Sequence, residues 1–428
     1  MDKFDVIIVG AGLAGLSAAY TLAGHNLDVL VLERGDYPGA KNMTGGRLYI
    51  NPVRKLLPEL WEQAPLERCI THECITFLAK DRSFTIEYSG NEMRQEPCQS
   101  YSILRAKFDR WLAERVEEKG IMVVPKTRVD DVIRENGYVA GVRAGGDELR
   151  ADVVIVCDGV LSLIAEKAGL RNAGNPGDYA VGIKEVIALA PGAINERFGV
   201  EGNEGVARLF VGEVTKGIFG GGFLYTNTDS ISLGIVLGLE DTSFGATLPE
   251  VPLLLNEFKS RLEVIPFLKG GETVEYSAHV IPEGGFHALS SLFGNGLLVA
   301  GDAAGFALNM GVTVRGMDYA IASGHFAALT VLAAKEKESF SAETLSMYKD
   351  MLVQSFVLQD FQNFKDFPRV LKNPRFFAHY PERIGNLLRD IYTIPAGPKE
   401  KLFSTFKKHL FSTDLWTMAK DFWSITKI

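Results

Sequence analysis

The sequence predicts an α/β fold with a mostly antiparallel region set into it and a helical carboxy-terminal part, on three observations. The first is the opening stretch VIIVGAGLAGLSAAYTLA, residues 6–23, which runs from an apolar strand through a glycine-punctuated turn into a helix. The second is a pair of later apolar runs, ADVVIVCDG at 151–159 and NGLLVAGDAAG at 295–305, each suited to a strand of a buried parallel sheet. The third is a change of character over residues 178–290, where YAVGIKEVIAL, GVARLFVG, GGGFLYTNTDSISLGIVLGL and ETVEYSAHVIP alternate as antiparallel strands do.

In chain order, Asp5-Val6-Ile7-Ile8-Val9 forms the first strand, residues 13–22 a helix, and Asp28-Val29-Leu30-Val31-Leu32 a second strand ending at Glu33. Between strand and helix, Gly10, Ala11, Gly12 and Gly15 fit G-x-G-x-x-G. Glycines there let the backbone approach a pyrophosphate, and the helix start offers unpaired N–H groups and a positive dipole end. Glu33 stands where a strand-end carboxylate accepts hydrogen bonds from a ribose. A dinucleotide belongs on this Rossmann-like unit. Residues 35–52, rich in Gly and Pro, read as loop. Apolar Phe108, Leu112 and Val116 among charges predict an amphipathic helix over 106–119. Residues 122–124, 128–134 and 138–144 read as a small three-stranded crossover, and 151–159 returns to the parallel sheet. The expected divisions are 1–177 (with an excursion near 50–102), an inserted α+β substrate domain at 178–290, a return at 291–335 and a helical region at 336–428.

Bulk composition narrows the function. Of 428 residues, 45 are Lys or Arg and 53 Asp or Glu, a net charge of −8 that argues against a nucleic-acid partner. Cys69, Cys74, Cys98 and Cys157 form no C-x-x-C pair and match no zinc or iron–sulfur spacing. No metal site is expected, and the four read as reduced thiols of a cytoplasmic protein. The start MDKFDV runs straight into a strand, so no signal peptide is expected. The longest apolar run, 319–334, is short for a membrane span and carries Gly and His.

Two further turns identify the dinucleotide. Asp158-Gly159 ends one late strand and Gly301-Asp302 another. With the opening motif, this set resembles the FAD-binding domain of the glutathione-reductase-like flavoproteins. More narrowly, it resembles the branch of aromatic hydroxylases, geranylgeranyl reductases and electron-transfer-flavoprotein:quinone oxidoreductases. That resemblance implies a ribityl contact for Asp302 and a pyrophosphate contact for Arg105. After Asp302, ALNMGVTVRGMDYAIASG reads as a loop and then a helix from about Val314, whose start would face the flavin pyrimidine edge and stabilise negative charge there.

The segments LERGDYPGAKNMTGGRLY, GFLYTN, SLGIVLGL, AHVIPEGG and GDAAGFALNMGVTVRGMDYAIASG resemble the FixC proteins, flavoprotein subunits of electron-transfer-flavoprotein:quinone oxidoreductases, over nearly the whole chain. The resemblance adds Arg34, Gly45, Arg47, Val129, Gly311 and Val312 to the FAD site. It implies electron flow from a reduced electron-transfer flavoprotein, with its alpha and beta subunits, through FAD to ubiquinone or menaquinone, also within electron-bifurcating assemblies. Three glycines in TKGIFGGGFLYTN predict a bulge where something flat meets the backbone. By resemblance the quinone carbonyl would meet Gly221, with Gly220, Gly222 and Phe223 shaping the slot; a barrel corner is the alternative. The larger single-chain enzymes carry a four-cysteine cluster domain at the carboxy terminus, whereas no cysteine follows Cys157 here. A separate ferredoxin-like iron–sulfur subunit of the FixX type is therefore implied.

In the last helix, Phe411, Leu415, Met418, Phe422 and Ile425 recur at helical spacing beside Trp416 and Trp423, with lysines 407, 408, 420 and 427 around them. Such a helix suits the inner face of the cell membrane or a partner subunit. No catalytic acid or base is assigned, since the flavin carries the redox chemistry; His72, His279 and His287 are expected to be structural or surface residues. The rival reading is a geranylgeranyl-reductase-like or other FAD enzyme acting on an apolar substrate, though GIFGGGFLYTN lacks the tryptophan and proline of the Y-x-W-x-F-P motif of those reductases. A redox-silent FAD-stabilised scaffold is the reading from outside enzymology.

Overall fold

The computed structural model describes residues 3–42, 45–172, 174–239, 251–411 and 415–425. Two sheets face one another. The first is ordered Phe293–Gly294, Leu297–Val299, Asp147–Val156, Phe4–Val9, Val29–Leu32, Met122–Val124, and along this order all pairings but the first are parallel; Tyr138–Ala144 and Val129–Glu135 join from the side, antiparallel. Its strands are apolar on both faces because helices cover both: Ile7, Ile8, Val154 and Ile155 are wholly buried. Helix Leu13–Leu22 lies against the long helix Met317–Glu336, where Ser17 Oγ donates to the Ile321 carbonyl at 2.7 Å. A Cβ on Gly324 would overlap the Ala14 carbonyl, so the two helices cross at backbone contact. Met317–Glu336 is long and apolar enough to span a bilayer, yet 67% of its apolar window is buried in this core. Helix Arg105–Glu118 turns Phe108, Leu112 and Val116 inward, as their spacing predicts.

The second sheet is ordered Glu272–Pro282, Tyr179–Ala188, Ser230–Gly238, Gly220–Thr226, Glu204–Gly212, Cys69–Leu78, Ser100–Ile103, Gly46–Tyr49, with Ser83–Tyr88 paired to Cys69–Leu78. Every pairing is antiparallel except Glu204–Gly212 with Cys69–Leu78. Its outer face carries a separate apolar core, in which Phe210 meets Phe258 of helix Val251–Lys259 edge to face. The inner face looks toward the parallel sheet.

Five local expectations need correction. The stretch 35–52 is not all loop: Gly46–Tyr49 pairs with Ser100–Ile103, because alternating residues there find a partner far along the chain. Met122–Val124 belongs to the parallel sheet, and the crossover is built instead from Val129–Glu135, Tyr138–Ala144 and the start of Asp147–Val156. The late helix starts at Met317, since Leu308–Asn309 and Val314–Arg315 first form a hairpin. Gly220–Thr226 runs in unbroken register with Ser230–Gly238, and Gly222–Tyr225 does so with Glu204–Gly212, so the glycines make no bulge. Cys69 and Cys98 are joined in a disulfide, not reduced; Cys74 and Cys157 are free and buried. Spacing alone did not disclose that pair, which strands Cys69–Leu78 and Ser100–Ile103 bring together.

The carboxy-terminal helices invert the usual polarity. Asp421 is buried, accepting from Arg375 Nε and Tyr380 Oη at 2.6 Å and Asn373 Nδ2 at 2.9 Å. Large apolar side chains point outward instead: Trp416 is 79% and Trp423 65% exposed, with Leu402 and Phe403 exposed on the preceding helix. Lys407, Lys408 and Lys420 are exposed as well, and Met418 is half-buried. The side chains of Phe411, Leu415, Phe422, Ile425 and Lys427 lie outside the described residues.

Candidate functional site

A cavity of about 940 Å³ separates the two sheets. That is at the upper end of the roughly 300–1,000 Å³ typical of small-molecule sites.

Its floor is the carboxyl edge of the parallel sheet. Gly10 adopts φ +100°, and a Cβ there would overlap the Cys157 carbonyl. Gly15 has no room either, because its Cβ would run into the Gly10 carbonyl. Gly12, by contrast, opens onto the cavity. Two glycines thus bring strand, turn and helix together, and the third leaves the helix start bare for a ligand. Glu33 is held by backbone donors, accepting from Ala11 N at 2.9 Å and Gly35 N at 2.5 Å. Asp158 is likewise engaged, by Ser162 Oγ at 2.7 Å and Ile164 N at 3.0 Å, and burial still raises its pKa above the usual carboxylate range.

Asp302 differs. Among the described residues nothing hydrogen-bonds its carboxyl, which lines the cavity with its pKa raised by burial and drawn back by His279 and Arg105. Arg105 is clamped to Asp109 by two hydrogen bonds of 2.7 Å, and this pairing outweighs burial and keeps the guanidinium charged.

The predicted residues Gly10, Gly12, Glu33, Arg34, Gly45, Arg47, Arg105, Val129, Asp158, Gly159, Asp302 and Gly311 all line this one cavity, as do Gly220, Gly221, Gly222 and Phe223 on the roof. Four do not. Ala11 and Gly15 act behind the wall as described. Gly301 packs its turn against Ala14 and donates from N to Ser323 Oγ at 2.9 Å. Val312 is exposed at the hairpin tip, away from the cavity. The roof glycines have a packing reason too: Cβ atoms would meet the Phe210 carbonyl at 2.7 Å from Gly221 and the Phe258 ring at 2.8 Å from Gly222.

Three roof residues escaped the sequence reading as functional groups. His279, expected to be structural, lines the cavity opposite Asp302, and burial lowers its pKa. Glu283 lines it as well, and burial pushes its carboxyl up to about 7 against the hydrogen bond from Asn309. Lys184 lies buried in the roof strand Tyr179–Ala188. The alternation of HVIPE could have placed 279 and 283 on one face. Lys184 carried a weaker signal, one cation in an apolar strand beside an acid.

The chemistry of the wall fits FAD. Arg34, Lys41, Arg105 and Arg128 line the cavity against a diphosphate's charge, while Asp302 offers an unoccupied acceptor for a hydroxyl. A family model described as an FAD binding domain matches residues 3–200. The "Probable electron transfer flavoprotein-quinone oxidoreductase YdiS" of Escherichia coli (strain K12) is 46% identical over 98% of this chain and 97% of its own length. "Protein FixC" of the same strain is 44% identical over the same shares. A solved geranylgeranyl bacteriochlorophyll reductase-like protein from Thermoplasma acidophilum superposes with a TM-score of 0.72 at 20% identity, covering 98% of each chain, a likeness of fold.

Proposed function

This chain belongs to the FixC family of FAD-dependent oxidoreductases, and from that premise we propose that it passes electrons from a reduced electron-transfer flavoprotein through FAD to a membrane quinone. The observation that carries the reading is the continuity of the cavity: the dinucleotide turn and the run Gly220-Gly221-Gly222-Phe223 line the same space. A flat acceptor on the roof would therefore share the cavity with the cofactor. FAD supplies reversible electron acceptance there. The chain's own residues hold and orient: Gly10 and Gly12 admit the diphosphate, Asp302 the ribityl chain, and the roof strands exclude water.

Electrons would come from the alpha and beta subunits of the electron-transfer flavoprotein. A ferredoxin-like subunit of the FixX type is the further partner in this reading. The same partners suit an assembly that divides NADH electrons between ferredoxin and quinone. The test mixes the purified protein with dithionite-reduced electron-transfer flavoprotein, the ferredoxin-like partner and a short-chain quinone. Bleaching of the flavin followed by quinone-dependent reoxidation is expected. Reduction by NADPH alone would favour the hydroxylase-type reading and overturn this one.

A quinone requires access to a bilayer, and the outward Leu402, Phe403, Trp416 and Trp423, with Lys407, Lys408 and Lys420 nearby, support residence on the inner face of the cell membrane. Replacing both tryptophans by serine should at least halve the fraction of folded protein sedimenting with anionic vesicles. Unaltered sedimentation would remove this part of the reading.

A further inference from the structure

Lys184 is 0% exposed, and among the described residues its Nζ has no hydrogen-bond partner. An unpaired buried ammonium costs several kcal/mol, so a chain keeps one where something else compensates it. Its position shows what that is. Residues directly paired across a sheet point to the same face. Ser277, Lys184, Gly234 and Phe223 form one rung of the roof. The next rung, His279–Gly182–Val236–Gly221, lines the cavity through His279, Val236 and Gly221. The rung on the other side, Glu275–Val186–Ser232–Tyr225, reaches it through Tyr225. Lys184 therefore stands on the cavity side of the sheet, between two rungs that touch the cavity.

Below it is Gly45, which lines the cavity at φ +78°. A Cβ on Gly45 would lie 3.0 Å from Lys184 Nζ and would overlap Ser232 Oγ. The absence of a side chain there leaves one backbone layer between the amine and the cavity. Phe223 shares the Lys184 rung and Gly221 the next one, so on the proposed function the amine stands where the flat acceptor would meet the isoalloxazine.

We propose that Lys184 is the counter-ion of the reduced flavin, a positioning charge that takes up a proton when FAD is reduced and releases it on reoxidation. The inference rests on the FAD site and deepens it. The balance is simple. FAD takes two electrons from the donor flavoprotein, or from an electrode, and one proton to give the monoanion FADH⁻. Above about pH 7, where Lys184 is neutral before reduction, it takes a second proton from solvent, so two electrons arrive with two protons. Burial, partly offset by Glu275 and reinforced by Arg105, pushes the amine down to about 7, which leaves it free to change state near neutrality. His279, one rung away, interacts with Asp302, Arg105 and Arg34, and Tyr225, on the rung opposite, with Tyr49, Arg47 and Glu73.

The test is the pH dependence of the midpoint potential of bound FAD in the wild-type holoprotein, Lys184→Met and Lys184→Arg. Above about pH 7 the wild type should show one proton more per two electrons than Lys184→Met. This is a further factor of about ten in the reduction equilibrium per pH unit, or about 30 mV. The gap between the two should open as pH falls from 9 and level off near 7. Lys184→Arg, permanently charged, should keep the higher potential without the extra slope. Equal slopes in wild type and Lys184→Met would overturn the proposal. If Lys184→Met does not fold, equal slopes in wild type and Lys184→Arg would do the same. Failure of the wild type to hold FAD would instead strike at the cofactor site itself.

Discussion

The floor and the roof of the cavity are built by opposite means. On the floor, Glu33 and Asp158 are tied to backbone and hydroxyl donors and Arg105 to Asp109, so these charges are settled before any ligand arrives, while Asp302 is left open as an acceptor. On the roof, Lys184 Nζ has no hydrogen-bond partner among the described residues, and burial pushes the Glu283 carboxyl up to about 7. A settled floor fixes position. An unsettled roof can exchange protons with whatever charge enters beneath it. The division suits a protein in which the cofactor stays and its charge changes.

Three substitutions probe that contrast, in falling order of effect. Gly10→Val should abolish FAD binding and destabilise the chain by roughly 3 kcal/mol or more, because the added atoms meet the Cys157 carbonyl at φ +100°. Flavin absorbance after purification with added FAD, and a melting curve, report it; normal flavin content would mean that the floor is not the cradle. Glu283→Gln tests the roof. The folded carboxyl titrates at about 7 against an ordinary 4.5. Its contribution to stability is therefore whole below 4.5 and lost as pH rises through 7. The glutamine variant should match wild type at pH 4.5 and exceed it at pH 8 by on the order of 3 kcal/mol. Urea melts at the two pH values decide this, and a constant difference would show that the carboxyl is not held protonated. Asp302→Asn should weaken FAD binding by about tenfold, about 1.4 kcal/mol. It keeps the shape and loses only the strength of a charge-assisted bond. Fluorescence titration of the apoprotein with FAD measures it.

What could be read from the sequence follows the same division. The floor is made of short-range patterns, a strand, a turn and a helix within residues 4–22, so glycine spacing and strand-end acids were legible there. The roof depends on pairings across long separations. The strands Gly46–Tyr49, Cys69–Leu78 and Ser100–Ile103 join it from within a segment whose loops and short apolar runs announce no partner. The disulfide Cys69–Cys98 was invisible for that reason, and Lys184 could not be set above Gly45 until Tyr179–Ala188 had neighbours on both sides. The glycine run 220–222 was found by composition, but its reason was misjudged: the Gly221 and Gly222 positions answer to Phe210 and Phe258 as well as to the cavity.

The lone parallel pairing of the roof, Cys69–Leu78 beside Glu204–Gly212, has a consequence for how the molecule comes into being. Cys69–Leu78 cannot find this mate until half of the polypeptide exists, and the outermost strand ends only at Pro282. No shorter amino-terminal fragment can enclose the coenzyme, so capture of the nucleotide is an event of late assembly.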